Sequence, residues 1–139
     1  RRFSISNPNI WISGLNPHAG ENGTIGDEEQ KFIIPIIKKL QSEGYNLLGP
    51  LSADTMFYGK KRPRFDAAIC MYHDQALIPI KTLDFHSSVN LTIGLSFIRT
   101  SPDHGTAFDI AGRNLANPTS TIEAIKLAWN MAKKEQKDR

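Results

Sequence analysis

The chain has 139 residues, 40% of them apolar, with a formal net charge of +3, proportions that suit one compact core. Its basic residues gather in Arg1-Arg2, Lys60-Lys61-Arg62-Pro63-Arg64 and residues 133–139, which read as solvated edges. No groove-reading or aromatic elements interleave them, so no nucleic-acid partner is expected. No apolar run approaches the roughly 18 to 20 residues of a membrane span, and no signal-peptide layout is read, so the expected location is cytoplasmic, without a membrane partner.

In chain order, residues 9–15 alternate as a short β run, and residues 16–26 form a turn-rich loop through Pro17, Gly20, Gly23 and Gly26. A helix is predicted from Asp27: Asp27, Glu28 and Glu29 suit its positive end, Phe32, Ile33, Ile36, Ile37 and Leu40 make an apolar face, and Gly44 stops it. Pro35 predicts a kink or break between the first turn and the body. Residues 45–48 read as a buried strand ending at Gly49-Pro50, followed by a helical turn opening at Ala53-Asp54-Thr55. Strand, helix and strand in succession imply a parallel crossover. The clearest β run is 66–72; it contains the only cysteine, Cys70, read as a buried small hydrophobe. Residues 73–81 read as a helix or turn interrupted at Pro79, and residues 89–98 as one or two strands around Gly94. The final element, 119–134, is an amphipathic helix with Ile122, Ile125, Trp129 and Ala132 on one stripe, widened by Ala128 and capped by Thr119 or Ser120 after Pro118. The expected class is α/β, a partly parallel sheet flanked by helices.

Two segments, Asn16-Pro17-His18-Ala19-Gly20-Glu21 and Met71-Tyr72-His73-Asp74-Gln75, each set a histidine and a carboxylate beside a strand end, where ligands gather in open α/β sheets. A lone histidine is more often a hydrogen-bonded structural group than a ligand. His18 and His73 have settings that suit a divalent metal, and Asp74 could orient an imidazole. His86 lacks this setting and reads as a surface loop residue. Lys81, Asn90 and Arg99 follow at intervals of nine. They are either three solvated polar groups or the equipment of an anion pocket, with Arg for bidentate recognition, Lys as a compact charge and Asn as a neutral donor and acceptor. The block Asp103-His104-Gly105-Thr106-Ala107-Phe108-Asp109-Ile110-Ala111-Gly112, with Asn114 and Asn117-Pro118 after it, reads either as tight turns and a helix cap or as a nucleotide loop whose carboxylate meets ribose hydroxyls.

Together with Gly49-Pro50 and Ala53-Asp54-Thr55, Val89-Asn90, and Ile98-Arg99-Thr100-Ser101 before Asp103-His104-Gly105-Thr106-Ala107, these motifs resemble the C-terminal part of the 4-hydroxythreonine-4-phosphate dehydrogenases, the PdxA family. The resemblance runs over nearly all 139 residues. Residues 104–118 are also similar to the cofactor loop of isocitrate and isopropylmalate dehydrogenases, which implies their fold and a fragment of a two-domain enzyme. The implied activity is NAD-dependent oxidation of 4-phosphohydroxy-L-threonine and loss of carbon dioxide, giving 3-amino-2-oxopropyl phosphate on the route to pyridoxal phosphate. On the matching positions, the resemblance implies His18 and His73 as ligands of a divalent metal (zinc, magnesium or cobalt), with Asp54 and Asp74 behind them. Lys81, Asn90 and Arg99 would meet the phosphorylated small-molecule substrate, and His104, Gly105, Thr106, Ala107, Asp109 and Asn117 would meet NAD. A homodimer with shared active sites is also implied, for which Leu77-Ile78-Pro79-Ile80 and residues 91–97 offer apolar surface.

Two positions depart from the family pattern. Ala76 stands for a glycine after His-Asp-Gln, and Ser96 for a proline in the Gly-Leu-Pro-Phe run. Residues 1–139 correspond to the C-terminal part only; the N-terminal part, which in the family supplies a third histidine and further substrate contacts, is absent, and the piece alone is expected to be inactive. Competing readings are a related dehydrogenase for another four-carbon acid phosphate or a cyclic diol, and a non-catalytic NAD-binding or dimerisation fragment. A metallohydrolase would leave the His104 block unexplained.

Overall fold

A computed structural model describes residue 3, residues 5–58 and residues 65–137, the side chain of residue 137 excepted. The basic runs Arg1-Arg2 and Lys60-Lys61-Arg62-Pro63-Arg64 lie outside the described residues. Where one core was expected, the chain divides into two compact units, Ile5–Pro79 and the stretch from Ile80 onward. No helix among the described residues is long and apolar enough to cross a membrane.

The first unit is built on three parallel strands in the order β2-β1-β3: β1 (Ile10–Ser13), β2 (Leu47–Leu51) and β3 (Ala67–Ile69). Parallel neighbours require a crossover, and α1 (Ile34–Ser42) supplies the one between β1 and β2. Pro35 marks a change of hydrogen-bond pattern where a kink or break was expected: a π-helical turn, Glu29–Ile33, runs directly into α1 with helical backbone at Ile33 and Ile34, and the proline sits in the first turn of α1. Gly44, at φ +93°, closes α1 with a Schellman pair, the Gly44 N–H donating to the Gln41 carbonyl at 3.0 Å and the Tyr45 N–H to the Leu40 carbonyl at 3.1 Å.

Ile12, Ile37 and Leu47 form the buried core, with Ile10, Ile33, Leu40 and Met71 packed against it. The face α1 buries is therefore Ile33, Ile37 and Leu40, while Phe32 and Ile36 of the expected face stand exposed. Positions i, i+4 and i+7 share one stripe, and the neighbouring i+3 stripe points away from the sheet.

Four expectations differ from the structure. The second strand starts at Leu47 and runs on through the cis Gly49–Pro50 bond to Leu51. The register against β1 shifts between Trp11 and Ser13, and such an irregularity is where a strand tolerates a proline. β3 stops at Ile69, well short of residue 72, because the Met71 N–H leaves the ladder for the Gln75 side chain at 2.7 Å and the chain turns into α3 (His73–Leu83). Pro79 does not interrupt α3; a proline removes one intrahelical bond, here to the Gln75 carbonyl, and the turns on either side carry the helix through. Between β3 and α3, Cys70 is half-buried, short of the full burial expected, and that burial pushes its thiol up despite the Ser13 hydroxyl beside it.

The second unit is an antiparallel hairpin, β4 (Val89–Thr92) with β5 (Arg99–Pro102), covered by α4 (Thr119–Lys137). Only one strand lies inside residues 89–98; the second begins just beyond it, at Arg99. The α4 stripe also differs from expectation. Ser120, Ala124 and Met131 are buried, while Ile122, Ile125 and Trp129 are exposed. Small side chains let the helix approach the hairpin closely enough for Thr100 Oγ1 to donate to the Ala124 carbonyl at 2.9 Å. Asn117 caps the helix, its Oδ1 accepting from the Thr119 N–H at 3.0 Å and the Thr119 hydroxyl at 2.6 Å. Ser120 points inward instead.

This packing assigns unequal weight to adjacent isoleucines. Ile37→Ala should cost about 2–5 kcal/mol in urea denaturation, the price of a core cavity, and Ile36→Ala under about 1 kcal/mol. Equal losses would contradict the packing.

Candidate functional site

The loop after β1 carries His18 in an unusual backbone. His18, Ala19, Gly20, Glu21 and Asn22 all have positive φ, between 43° and 77°. A run of left-handed residues with only one glycine costs about 1–2 kcal/mol per non-glycine residue and persists only when its surroundings over-determine it.

Glu29 does so. Its carboxylate is fully buried and accepts hydrogen bonds from the Leu15 N–H at 2.7 Å, the Asn16 N–H at 2.8 Å and Asn16 Nδ2 at 2.8 Å. Asn16 Nδ2 also donates to Glu28 Oε2 at 2.6 Å. The fit leaves no room for side chains at the facing glycines: a Cβ on Gly20 would lie 2.6 Å from Glu29 Oε2, and one on Gly14 2.7 Å from the Ala19 Cα. Burial by itself raises the carboxyl, but the hydrogen bonds from Asn16 and Leu15 outweigh it and hold Glu29 below its ordinary value. Sequence reasoning placed Glu29 only among acidic residues at a helix start, and its distance of 13 residues from Asn16 gave no local signal.

His18 is exposed, its Nδ1 3.5 Å from Glu21 Oε2. The Asp54 carboxyl, on α2 (Ala53–Met56), is held below its ordinary value chiefly by the Ser52 hydroxyl, which donates to it at 2.5 Å, with the charge of His18 contributing. His73 opens α3, its Nδ1 2.7 Å from Asp74 Oδ1. Both imidazoles thus face a carboxylate through Nδ1, the arrangement that orients a histidine to offer Nε2 to a metal. The donor chemistry suits a divalent ion, yet supplies only two nitrogens. Among the described residues no group of three or more His, Cys, Asp or Glu side chains is gathered for a metal.

In the second unit the hairpin register pairs Asn90 with Ser101 and Thr92 with Arg99. Alternate residues of a strand and directly opposed partners share a face, so Asn90 and Arg99 lie on the same face, away from the Thr100 side chain that meets α4. Arg99 accordingly donates to Thr92 Oγ1 at 2.8 Å. Lys81 is engaged differently. Its Nζ lies 3.0 Å from Asp103 Oδ2, also donates to the Asp103 carbonyl, and sits 5.0 Å from the centre of the Phe85 ring. Asp103 was not anticipated as its partner.

His104, Gly105, Thr106, Ala107 and Asp109 lie on an exposed loop that ends in a short turn, Phe108–Ile110. Asn117, beside its capping role, places Nδ2 3.3 Å from Nδ1 of the exposed His86.

A family model described as "Pyridoxal phosphate biosynthetic protein PdxA" matches residues 1–128. The chain belongs to this family. It is 66% identical over 132 residues to a 4-hydroxythreonine-4-phosphate dehydrogenase of Roseobacter denitrificans, a match that covers 95% of this chain and 40% of that protein. The crystal structure of a 4-hydroxythreonine-4-phosphate dehydrogenase from Klebsiella pneumoniae superposes with a TM-score of 0.79 at 41% identity, over 94% of this chain and 40% of that one. A terephthalate 1,2-cis-dihydrodiol dehydrogenase from Burkholderia xenovorans superposes with a TM-score of 0.68 at 37% identity, over 91% and 40%. The chain therefore spans about 40% of the length of the relatives it matches, and its fold is that of a part of a PdxA dehydrogenase.

The depressed carboxyl of Glu29 has a defined pH signature. A folded-state value below the ordinary 4.5 stabilises the fold fully above that value, and the contribution is lost as pH falls through the lower folded value. Glu29→Gln should cost about 1–3 kcal/mol at neutral pH and flatten the decline in stability below about pH 4.5. Parallel wild-type and variant curves in denaturant titrations across this range would refute the linkage.

Proposed function

We propose that the complete protein carrying this chain is an NAD-dependent 4-hydroxythreonine-4-phosphate dehydrogenase, with residues 1–139 as its C-terminal part. The 66% identity to a dehydrogenase of that name over 95% of the chain carries the reading. The reaction oxidises the hydroxyl of 4-phosphohydroxy-L-threonine and releases carbon dioxide, leaving 3-amino-2-oxopropyl phosphate for pyridoxal phosphate synthesis.

The chain's own residues divide the work. Arg99, steadied by Thr92, presents a planar fork to the substrate phosphate or carboxylate, and Asn90 adds a neutral donor and acceptor on the same face. Lys81 contributes a charge whose direction Asp103 sets. His18 and His73 would hold a divalent ion (zinc, magnesium or cobalt), which when bound supplies Lewis-acid polarisation of the substrate oxygen, while hydride acceptance belongs to NAD. Asp54 and Asp74 flank these histidines, and a third histidine would come from the N-terminal part, without which residues 1–139 are inactive. The exposed loop of His104, Gly105, Thr106, Ala107 and Asp109, with Asn117, would meet the adenosine half of NAD, where a carboxylate at Asp109 disfavours the extra phosphate of NADP. A homodimer with shared sites is supported by the exposed Ile78, Ile80, Ile93 and Phe97, and the cytoplasm is the proposed location.

The likeness to a cis-dihydrodiol dehydrogenase favours one second reading, oxidation of a cyclic diol. Assaying the complete protein against phosphorylated hydroxythreonine, other four-carbon acid phosphates and a cis-dihydrodiol separates the two. Turnover of the diol alone would overturn the first.

In that protein, Arg99→Ala should raise KM for the phosphorylated substrate about 10- to 100-fold through loss of charge-assisted hydrogen bonds, with stability changed by less than about 0.5 kcal/mol because the side chain is exposed. His18→Ala and His73→Ala should each sharply lower metal content by elemental analysis. Unchanged stoichiometry in both would remove the metal assignment.

A further inference from the structure

Ser13, Gly14, Leu15 and Asn16 follow one another at the end of β1, and each is held by a buried side chain from a later element. Glu29 takes the Leu15 and Asn16 N–H groups. Gln75, 8% exposed, takes the other two: its Oε1 accepts the hydroxyl proton of the fully buried Ser13, and its Nε2 donates to the Gly14 carbonyl at 2.8 Å. The same Oε1 accepts the Met71 N–H at 2.7 Å. Gln75 thus ties the end of β1 to the turn that delivers α3. His18 lies two residues beyond the anchored stretch on one side, and His73 two residues before Gln75 on the other.

From this arrangement we infer that Gln75, acting with Ser13, is a positioning residue that sets His73 relative to His18 through the end of β1. The inference rests on the reading that both histidines serve one metal. In this reading neither Gln75 nor Ser13 is a ligand, since their polar atoms are engaged with each other, with Met71 and with Gly14. A glutamine suits the role because it offers an acceptor to two donors and a donor to a carbonyl at once, whereas a carboxylate would set an oxygen against the Gly14 carbonyl. The local device resembles a capping box in which the third helical residue reaches back to the entering backbone, here one residue further out and joined to a neighbouring strand. Outer contacts of this kind are worth roughly 10- to 100-fold in metal affinity.

The test uses the complete protein and two variants, Gln75→Met, close in shape without the three hydrogen bonds, and Ser13→Ala, which removes one hydroxyl and leaves Gln75 its bonds to Met71 and Gly14. Zinc affinity is read by competition with a chromophoric chelator, cobalt(II) absorption reports ligand geometry, and circular dichroism checks the fold. With secondary structure retained, Gln75→Met should weaken zinc binding about 10- to 100-fold and alter the cobalt spectrum, with Ser13→Ala intermediate. Should Gln75→Met fail to fold, Ser13→Ala alone decides. Wild-type affinity and spectrum in the folded variants, while His18→Ala and His73→Ala lose metal, would overturn the inference and leave the metal reading standing. Wild-type metal binding in the histidine variants would instead remove the metal reading, and the inference with it.

Discussion

The first unit depends on a buried negative charge. A carboxylate removed from water is tolerable only when its lone pairs are occupied, and Glu29 meets that condition with two backbone donors and one amide from Leu15 and Asn16. Those bonds have a counterpart in the backbone they restrain. Four non-glycine residues, His18, Ala19, Glu21 and Asn22, sit in the left-handed region, at a cost of roughly 4–8 kcal/mol. Three hydrogen bonds to an ionised acceptor, at about 1.5–3 kcal/mol each, are of the same order. The loop holding His18 is therefore a conformation that the helix start imposes from outside.

The sequence made some of this legible because the signals were local. Pro35 and Gly44 act through their own backbone, so a change in the helix near Pro35 and the end of α1 follow from residue type, although the change is from π to α hydrogen bonding and not a break. The signals fail where distance or size decides. Ile125 and Trp129 dominate any hydrophobic count in the last helix, yet a helix lying close on a hairpin needs small side chains between them, so Ser120 and Ala124 form the contact. Likewise 66–72 reads as one strand by composition, but Gln75 captures the Met71 N–H and ends the ladder early. Local motifs single out the candidate residues, but not the bonds from Glu29 to Asn16, Gln75 to Ser13 and Asp103 to Lys81, which span 13, 62 and 22 residues.

The three residues proposed to meet an anion differ physically. Arg99 and Asn90 stand exposed on a strand face, with the guanidinium donating to Thr92. Lys81 is half-buried and already neutralised by Asp103, so its pull on a second anion is weakened, while its position is better defined. In the role proposed for them, the exposed guanidinium would serve bidentate recognition and the half-buried, fixed ammonium would serve orientation.

Whether Asn90 and Arg99 face outward at all depends on hairpin register, since a slip of one residue turns every side chain to the opposite face. The six residues 93–98 between the strands do not define it alone. Ser120 does much of that work from α4. Its hydroxyl donates to the Ser88 carbonyl at 2.7 Å and accepts the Asp103 N–H at 2.9 Å, and these two residues flank the closing pair Val89 and Pro102. One buried hydroxyl thus clamps both open ends of the hairpin, while Thr100 pins its middle to the Ala124 carbonyl. With Thr100 committed to the helix side, its neighbours Arg99 and Ser101 must turn the other way. The same Asp103 whose N–H Ser120 holds is the partner of Lys81, so the inward turn of a residue that sequence patterning treats as a helix cap governs the placement of all three anion-binding candidates.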